Sequence, residues 1–120
     1  GDDLALVSLG VGVHRCLQAA ERLQAEGIQA QVMDLRSVVP LDAEAVGEAA
    51  RRTGRVLVVD EDYLHFGLTG EIAALLLEAD ITPRFGRVGT TGTIPFDRRR
   101  EVETLPNIDR IIAAARELME

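Results

Sequence analysis

The chain has 120 residues, 47% of them hydrophobic and only 3% aromatic, so one domain with a core of Leu, Val, Ile and Ala is expected. Net charge is −7, and all 13 basic residues are Arg, an acidic balance that argues against nucleic acid or an anionic membrane as the main partner. No stretch is long and apolar enough to span a bilayer, no signal peptide is visible, and the single cysteine, Cys16, fits a reducing, cytoplasmic setting.

Leu4 to Leu9 reads as a buried strand and Gly10-Val11-Gly12 as the turn that follows. Val13, Cys16, Leu17, Ala20 and Leu23 then recur at helical spacing, with Gly27 as a stop. Cys16 lies on that stripe and reads as a buried structural thiol rather than a nucleophile. Ile28 to Leu35 is a second strand whose imperfect alternation suits a position near a sheet edge.

Asp42 is a good N-cap for a helix running to Thr53 and ending at Gly54, with Leu41 and Val46 spaced as a hydrophobic staple. Next comes the stretch that organises the chain. Val56 to Val59 is a short apolar run suited to a strand buried on both faces, and Asp60-Glu61-Asp62 are read as its exit at the carboxyl edge of the sheet. A helix through Ile72, Leu75, Leu76 and Ala79 follows, and Pro83 breaks the chain. Arg84 to Val88 is a short fourth strand, and Gly89 to Phe96 has turn chemistry. Pro106-Asn107 opens a last helix with a stripe at Ile108, Ile111, Ile112, Ala115, Leu118 and Met119.

Strands alternating with helices imply an α/β fold with a mainly parallel sheet covered on both faces. The economical strand order is 2-1-3-4. Its switch point, between the first and third strands, sets Gly10-Val11-Gly12 beside the Asp60 to Gly67 loop; ligands of open α/β sheets gather at such a place.

Each candidate motif has a plainer reading beside it. Gly10-x-Gly12 suggests a dinucleotide turn, but Arg15 stands where the third glycine would permit close helix–strand packing, so a tight βα turn is the better reading. Asp60-Glu61-Asp62 reads as a solvated strand end, or as acids meeting Arg across an interface, ahead of a cation site. The glycines of Gly67 to Gly70 open a helix whose free N–H groups could hold an anion, as every helix start could. Arg98-Arg99-Arg100 reads as a solvated or salt-bridged loop, and His14 as exposed or partly packed. His65, beside Phe66, is the best single candidate for a functional side chain, at an interface or channel mouth rather than in catalysis. No nucleophile–base pair, metal set or carboxylate pair stands out.

The order of segments resembles the C-terminal domain of the transketolase family. It is most similar to that domain in the β subunit of thiamine-diphosphate-dependent 2-oxo acid dehydrogenases, the E1 component of pyruvate or branched-chain type. The resemblance is carried by Leu6 to Gly10, by Val32 to Asp42 with its D-L-R-S-V-x-P-L-D run, and by Thr53 to Glu61. It continues in Gly67 to Ala73, in Thr93-Ile94-Pro95-Phe96, and in Leu105 to Ile111.

The resemblance implies a three-layer α/β/α sandwich, and an additional antiparallel edge strand from residues before the first strand, which this chain is expected to lack. Gly1-Asp2-Asp3 running straight into a strand suggests that residues 1–120 are one domain of a longer chain. In such enzymes other domains hold thiamine diphosphate and Mg²⁺ and supply the catalytic residues. The C-terminal domain builds subunit interfaces and helps dock the E2 acyltransferase. The implied partners are the remaining E1 domains, the E1 α subunit, a second β subunit and E2. The expectation for this chain is no catalytic residue and no bound cofactor or metal. Glu61, Tyr63, His65, Phe66, Ile94, Phe96 and Arg98 are its interface or channel-mouth candidates.

Relatives often carry His-Glu where this chain has Asp60-Glu61, and a longer glycine-rich loop where it has Tyr63 to Gly67. The Gly89-Thr90-Thr91-Gly92 turn departs from the commonest E1 pattern as well. A transketolase or deoxyxylulose-phosphate synthase domain is therefore the alternative within the family, and a free-standing flavodoxin-like binding module the alternative outside it.

Overall fold

The computed structural model describes residues 1–36, 42–63, 67–90 and 106–120, with Asp62 and Tyr63 described as backbone only. Among the described residues four strands and four helices alternate: β1 (Leu4–Ser8), α1 (Val11–Ala25), β2 (Ala30–Asp34), α2 (Ala43–Thr53), β3 (Arg55–Tyr63), α3 (Leu68–Glu78), β4 (Arg84–Thr90) and α4 (Ile108–Met119). The strands form one sheet in the order β2-β1-β3-β4, each neighbouring pair parallel.

β1 sets the architecture. Leu4, Ala5, Leu6 and Val7 have no exposed surface, so this strand needs cover on both faces. Leu4 and Leu6 pack with Leu57 and Val59 of β3 against Cys16, Ala19 and Leu23 of α1 and Ile111, Ala115 and Leu118 of α4. Ala5 and Val7 face the other way, with Val56 and Val58, onto Val46, Ala49 and Ala50 of α2 and Ile72 and Leu76 of α3. The result is the expected three-layer sandwich. Each fully buried Leu, Ile or Val contributes about 1.5–3 kcal/mol.

Local chemistry sets the helix ends. The Asp42 carboxylate accepts from the Ala45 N–H at 3.0 Å, and Asn107 accepts from the Arg110 N–H at 2.9 Å. Gly54 closes α2 at φ +70°, a left-handed conformation that favours glycine. The Leu41 half of the expected staple lies outside the described residues.

Four expectations need correction. First, β3 does not end at Val59: the acids are part of a strand that continues to Tyr63. Val59 lies opposite Val88 and Tyr63 opposite Thr90, so four steps along β3 match two along β4, and the register shift absorbs the extra residues. Second, β4 extends through Gly89 and Thr90, both buried, because they pair with the lengthened β3. Third, the buried stripe of α1 is Gly12, Cys16, Ala19 and Leu23, whereas Leu17 is 52% exposed. The helix turns its small residues to the sheet so that its axis can approach closely. Fourth, Ile28 lies outside β2 because its N–H caps α1 on the Leu23 carbonyl, and Ala79 is exposed beyond the end of α3.

The close approach of α1 can be tested at Gly12. A Cβ there would stand 2.2 Å from Ser8 Oγ, whereas a Cβ at Gly70 meets nothing nearer than an Arg87 guanidinium nitrogen at 3.7 Å. Gly12→Ala is expected to destabilise the chain by roughly 1–3 kcal/mol. Gly70→Ala is expected to stabilise it by roughly 0.5 kcal/mol. Urea melts of the two variants should move in opposite directions.

Candidate functional site at the carboxyl edge

The switch point between β1 and β3 brings together the ends of β1, β3 and β4 and the starts of α1 and α4. Gly10 has φ +60°, which lets the chain turn from β1 into α1. Ser8 follows four apolar residues and is fully buried; its hydroxyl donates to the Val59 carbonyl at 2.6 Å. That bond satisfies a polar group which would otherwise carry a desolvation cost.

Cys16 lies under the same turn. Burial pushes its thiol up to about 12, the Ser8 hydroxyl acting more weakly in the opposite sense. A thiol held protonated is a poor nucleophile, in agreement with the structural reading.

The edge is closed by two arginines. Arg15, at the position that a dinucleotide turn would give to glycine, reaches from α1 to β3 and to the residue before Asn107. Its Nη1 donates to Glu61 Oε1 at 3.0 Å and to the Pro106 carbonyl at 2.9 Å. Arg110, from the first turn of α4, donates to the Gly89 carbonyl at 2.8 Å, and partial burial lowers its pKa from the usual guanidinium range. The Thr90 hydroxyl donates to the Glu61 carbonyl. Glu61 thus joins three elements: its carboxylate holds Arg15 of α1, its carbonyl holds Thr90 of β4, and through Arg15 it is linked to the start of α4. Two ion pairs continue the α1–α4 contact on the outer surface, Arg22 with Asp109 at 3.1 Å and Arg116 with Glu26. The Arg116 hydrogen bond holds the Glu26 carboxyl below the usual carboxylate range.

Of the seven candidates, Glu61 is described in full and is an exposed-rim residue paired within its own chain. Tyr63 is placed as the last residue of β3, opposite Thr90. His65, Phe66, Ile94, Phe96 and Arg98 lie outside the described residues. Sequence reading missed the tying roles of Ser8, Arg15, Thr90 and Arg110. Only the topology reveals them, because each bonds to a carbonyl or carboxylate on a different element.

Among the described residues no group of three or more His, Cys, Asp and Glu could hold a metal ion. Recesses of about 290 and 230 Å³ lie at the opposite, amino edge, around the Asp80 to Pro83 turn. Among the described residues no helix is long and apolar enough to cross a membrane.

The family model for the transketolase C-terminal domain matches residues 1–111. The chain belongs to that family. It is 42% identical over 125 residues to the 2-oxoisovalerate dehydrogenase subunit beta of Bacillus subtilis, covering all of this chain and 38% of that protein. It is 35% identical over 128 residues to the pyruvate dehydrogenase E1 component subunit beta of the same organism, again covering 38% of the relative. A solved structure described as a split-gene transketolase, inactive β4 tetramer, superposes with a TM-score of 0.89 at 31% identity, over 99% of this chain and 39% of the other. The chain therefore spans well under half the length of these relatives.

Two measurements test the edge. Arg15→Ala should cost about 1–2 kcal/mol through loss of the carbonyl and carboxylate contacts, and should speed amide exchange near the start of α4. Arg22→Ala, at an exposed pair, should change stability by no more than about 0.5 kcal/mol. At Cys16 the folded pKa is raised, so its contribution is complete below the unfolded thiol's ordinary value and is lost as pH rises toward the folded value. Relative to Cys16→Ala, the native chain should lose about 1.4 kcal/mol per pH unit above pH ~9 in chemical denaturation.

Proposed function

We propose that this chain is the C-terminal domain of an E1 β subunit of a thiamine-diphosphate-dependent 2-oxo acid dehydrogenase. It acts there as a subunit-interface and E2-docking domain and performs no catalytic step itself. The whole enzyme would release CO₂ from a 2-oxo acid and pass the acyl group to a lipoyl group on E2. The similarity along the full chain to two E1 β subunits carries this reading. The carboxyl edge supports it: Ser8, Arg15, Glu61, Thr90 and Arg110 are engaged in bonds that hold the domain together.

On this reading thiamine diphosphate and Mg²⁺ would be held by the rest of the enzyme, and the cofactor would supply the carbanion chemistry that decarboxylation of a 2-oxo acid needs. This chain would shape the approach to that centre and bind the E1 α subunit, the second β subunit and E2. His65, Phe66, Ile94, Phe96 and Arg98, with Glu61 and Tyr63, are the proposed contact residues. The likeness to a split-gene transketolase favours a second reading, in which the same domain serves ketol transfer.

The test uses the full-length enzyme. Phe66→Asp and Phe96→Asp should each weaken assembly by at least tenfold, as hot-spot aromatics do, in sedimentation or native mass measurements. Unchanged assembly in both variants would overturn the placement of the surface. Thiamine diphosphate titrated into the isolated 120 residues should give no binding heat, and a saturable signal would reassign the cofactor. Turnover of a 2-oxo acid or of a ketose by the whole enzyme separates the two chemistries.

A further inference from the structure

α3 is apolar around most of its circumference, a composition expected of a helix covered on all sides. The described residues cover it on one side. Thr69, Ile72 and Leu76 are buried against the sheet, while Ala74 is exposed and Leu77 is 68% exposed. α2 packs on the same face of the sheet and behaves differently, turning Glu44, Glu48, Arg51 and Arg52 to solvent. Beside Leu77 the surface falls into an apolar recess of about 230 Å³ lined by Ala73, Leu76, Ile81, Pro83 and Phe85 among others. Ala73 and Ala74 leave room for a second helix to approach closely.

Charge indicates what the face would accept. Glu71 and Glu78 are exposed and seven residues apart, so they stand two turns apart along one flank of the same face. Among the described residues neither has an ion-pair partner, and α3 carries no basic residue. Arg87 of β4 lies over Gly70 and is engaged within the chain. A second copy of α3 is a poor occupant. An antiparallel pair centred between Ala74 and Leu75 would set Glu71 of each copy against Glu78 of the other, and a parallel pair would also oppose acids.

We propose that the outer face of α3 docks an amphipathic helix of a different polypeptide. That helix would carry an apolar stripe flanked by Lys or Arg side chains about two turns apart. Its apolar residues would enter the recess beside Leu77 and its cations would meet Glu71 and Glu78. The surface is separate from the bonds among Ser8, Arg15, Glu61 and Val59 at the carboxyl edge and does not depend on the substrate of the whole enzyme.

The experiment replaces Leu77 with the photo-crosslinking residue p-benzoylphenylalanine in the full-length protein, expressed in its own cells. Irradiation is followed by sequencing of the crosslinked peptide. The expected product is a peptide from another polypeptide with apolar residues at helical spacing and two basic residues about seven positions apart. Its yield should fall at least fivefold when Glu71→Gln and Glu78→Gln are combined, with the urea midpoint unchanged. A crosslink to this same polypeptide, whether to a second copy or to another segment, would overturn the proposal. So would a partner peptide without the basic flank, a yield indifferent to the two glutamates, or no crosslink at all. Because the probe sits on α3, these outcomes are separable from the assembly phenotypes of Phe66→Asp and Phe96→Asp.

Discussion

The complete burial of β1 constrains everything else in the molecule. A parallel strand with both faces covered requires helices on each side, and its neighbours must be reached by crossovers that lay those helices down. β1 pairs with β2 on one edge and β3 on the other, so the chain must leave it in one direction and return in the opposite one. The switch point follows from that reversal. Closure at the switch point rests on α1 lying close to the sheet, which Gly12 permits by keeping the space above Ser8 free of a Cβ. Ser8 can then bond to the Val59 carbonyl, and Cys16 is buried as a small apolar group.

In many α/β proteins the switch point is a crevice with free polar groups. Here β3 runs on past its apolar segment, and the lengthened strand brings Glu61 to where Arg15 and Thr90 can reach it. The two arginines bond to carbonyls at Gly89 and Pro106, residues that flank the 91–105 stretch. Charge at this edge therefore serves cohesion. Arg suits such a role because its planar fork can satisfy several acceptors at once and stays ionised.

Much of this was legible in the sequence where one physical signal dominated. The apolar run at Val56 to Val59, the cap at Asp42, the stop at Gly54 and the stripe of α4 each depend on local chemistry, and each element formed where it was expected. The strand order followed from connection rules. The end of β3 was misread because acids usually mark a strand's exit, and here the pairing with β4 overrode that preference. Leu17 was misread because two adjacent residues, Cys16 and Leu17, both fit an apolar stripe and only packing decides which is buried. Arg15 was read by what it lacked compared with glycine. Its partners, Glu61 and Pro106, are 46 and 91 residues away, and no local pattern encodes contacts at that range.

The two helix pairs show how differently the faces of this sheet are finished. α4 is tied near both its ends to the last turn and cap of α1, Asp109 with Arg22 and Arg116 with Glu26, so this outer surface has internal partners for these charges. α2 presents polar residues to solvent, and α3 beside it presents Ala74 and Leu77. Water tolerates single exposed leucines, but an apolar helix wall next to an apolar recess retains a driving force for association that a charged wall lacks. The folded core already satisfies β1 and β3 without the outer side of α3, so stability within the chain does not account for the exposed Leu77. Leu77 and the recess beside it are thus the observation on which the proposed docking face rests.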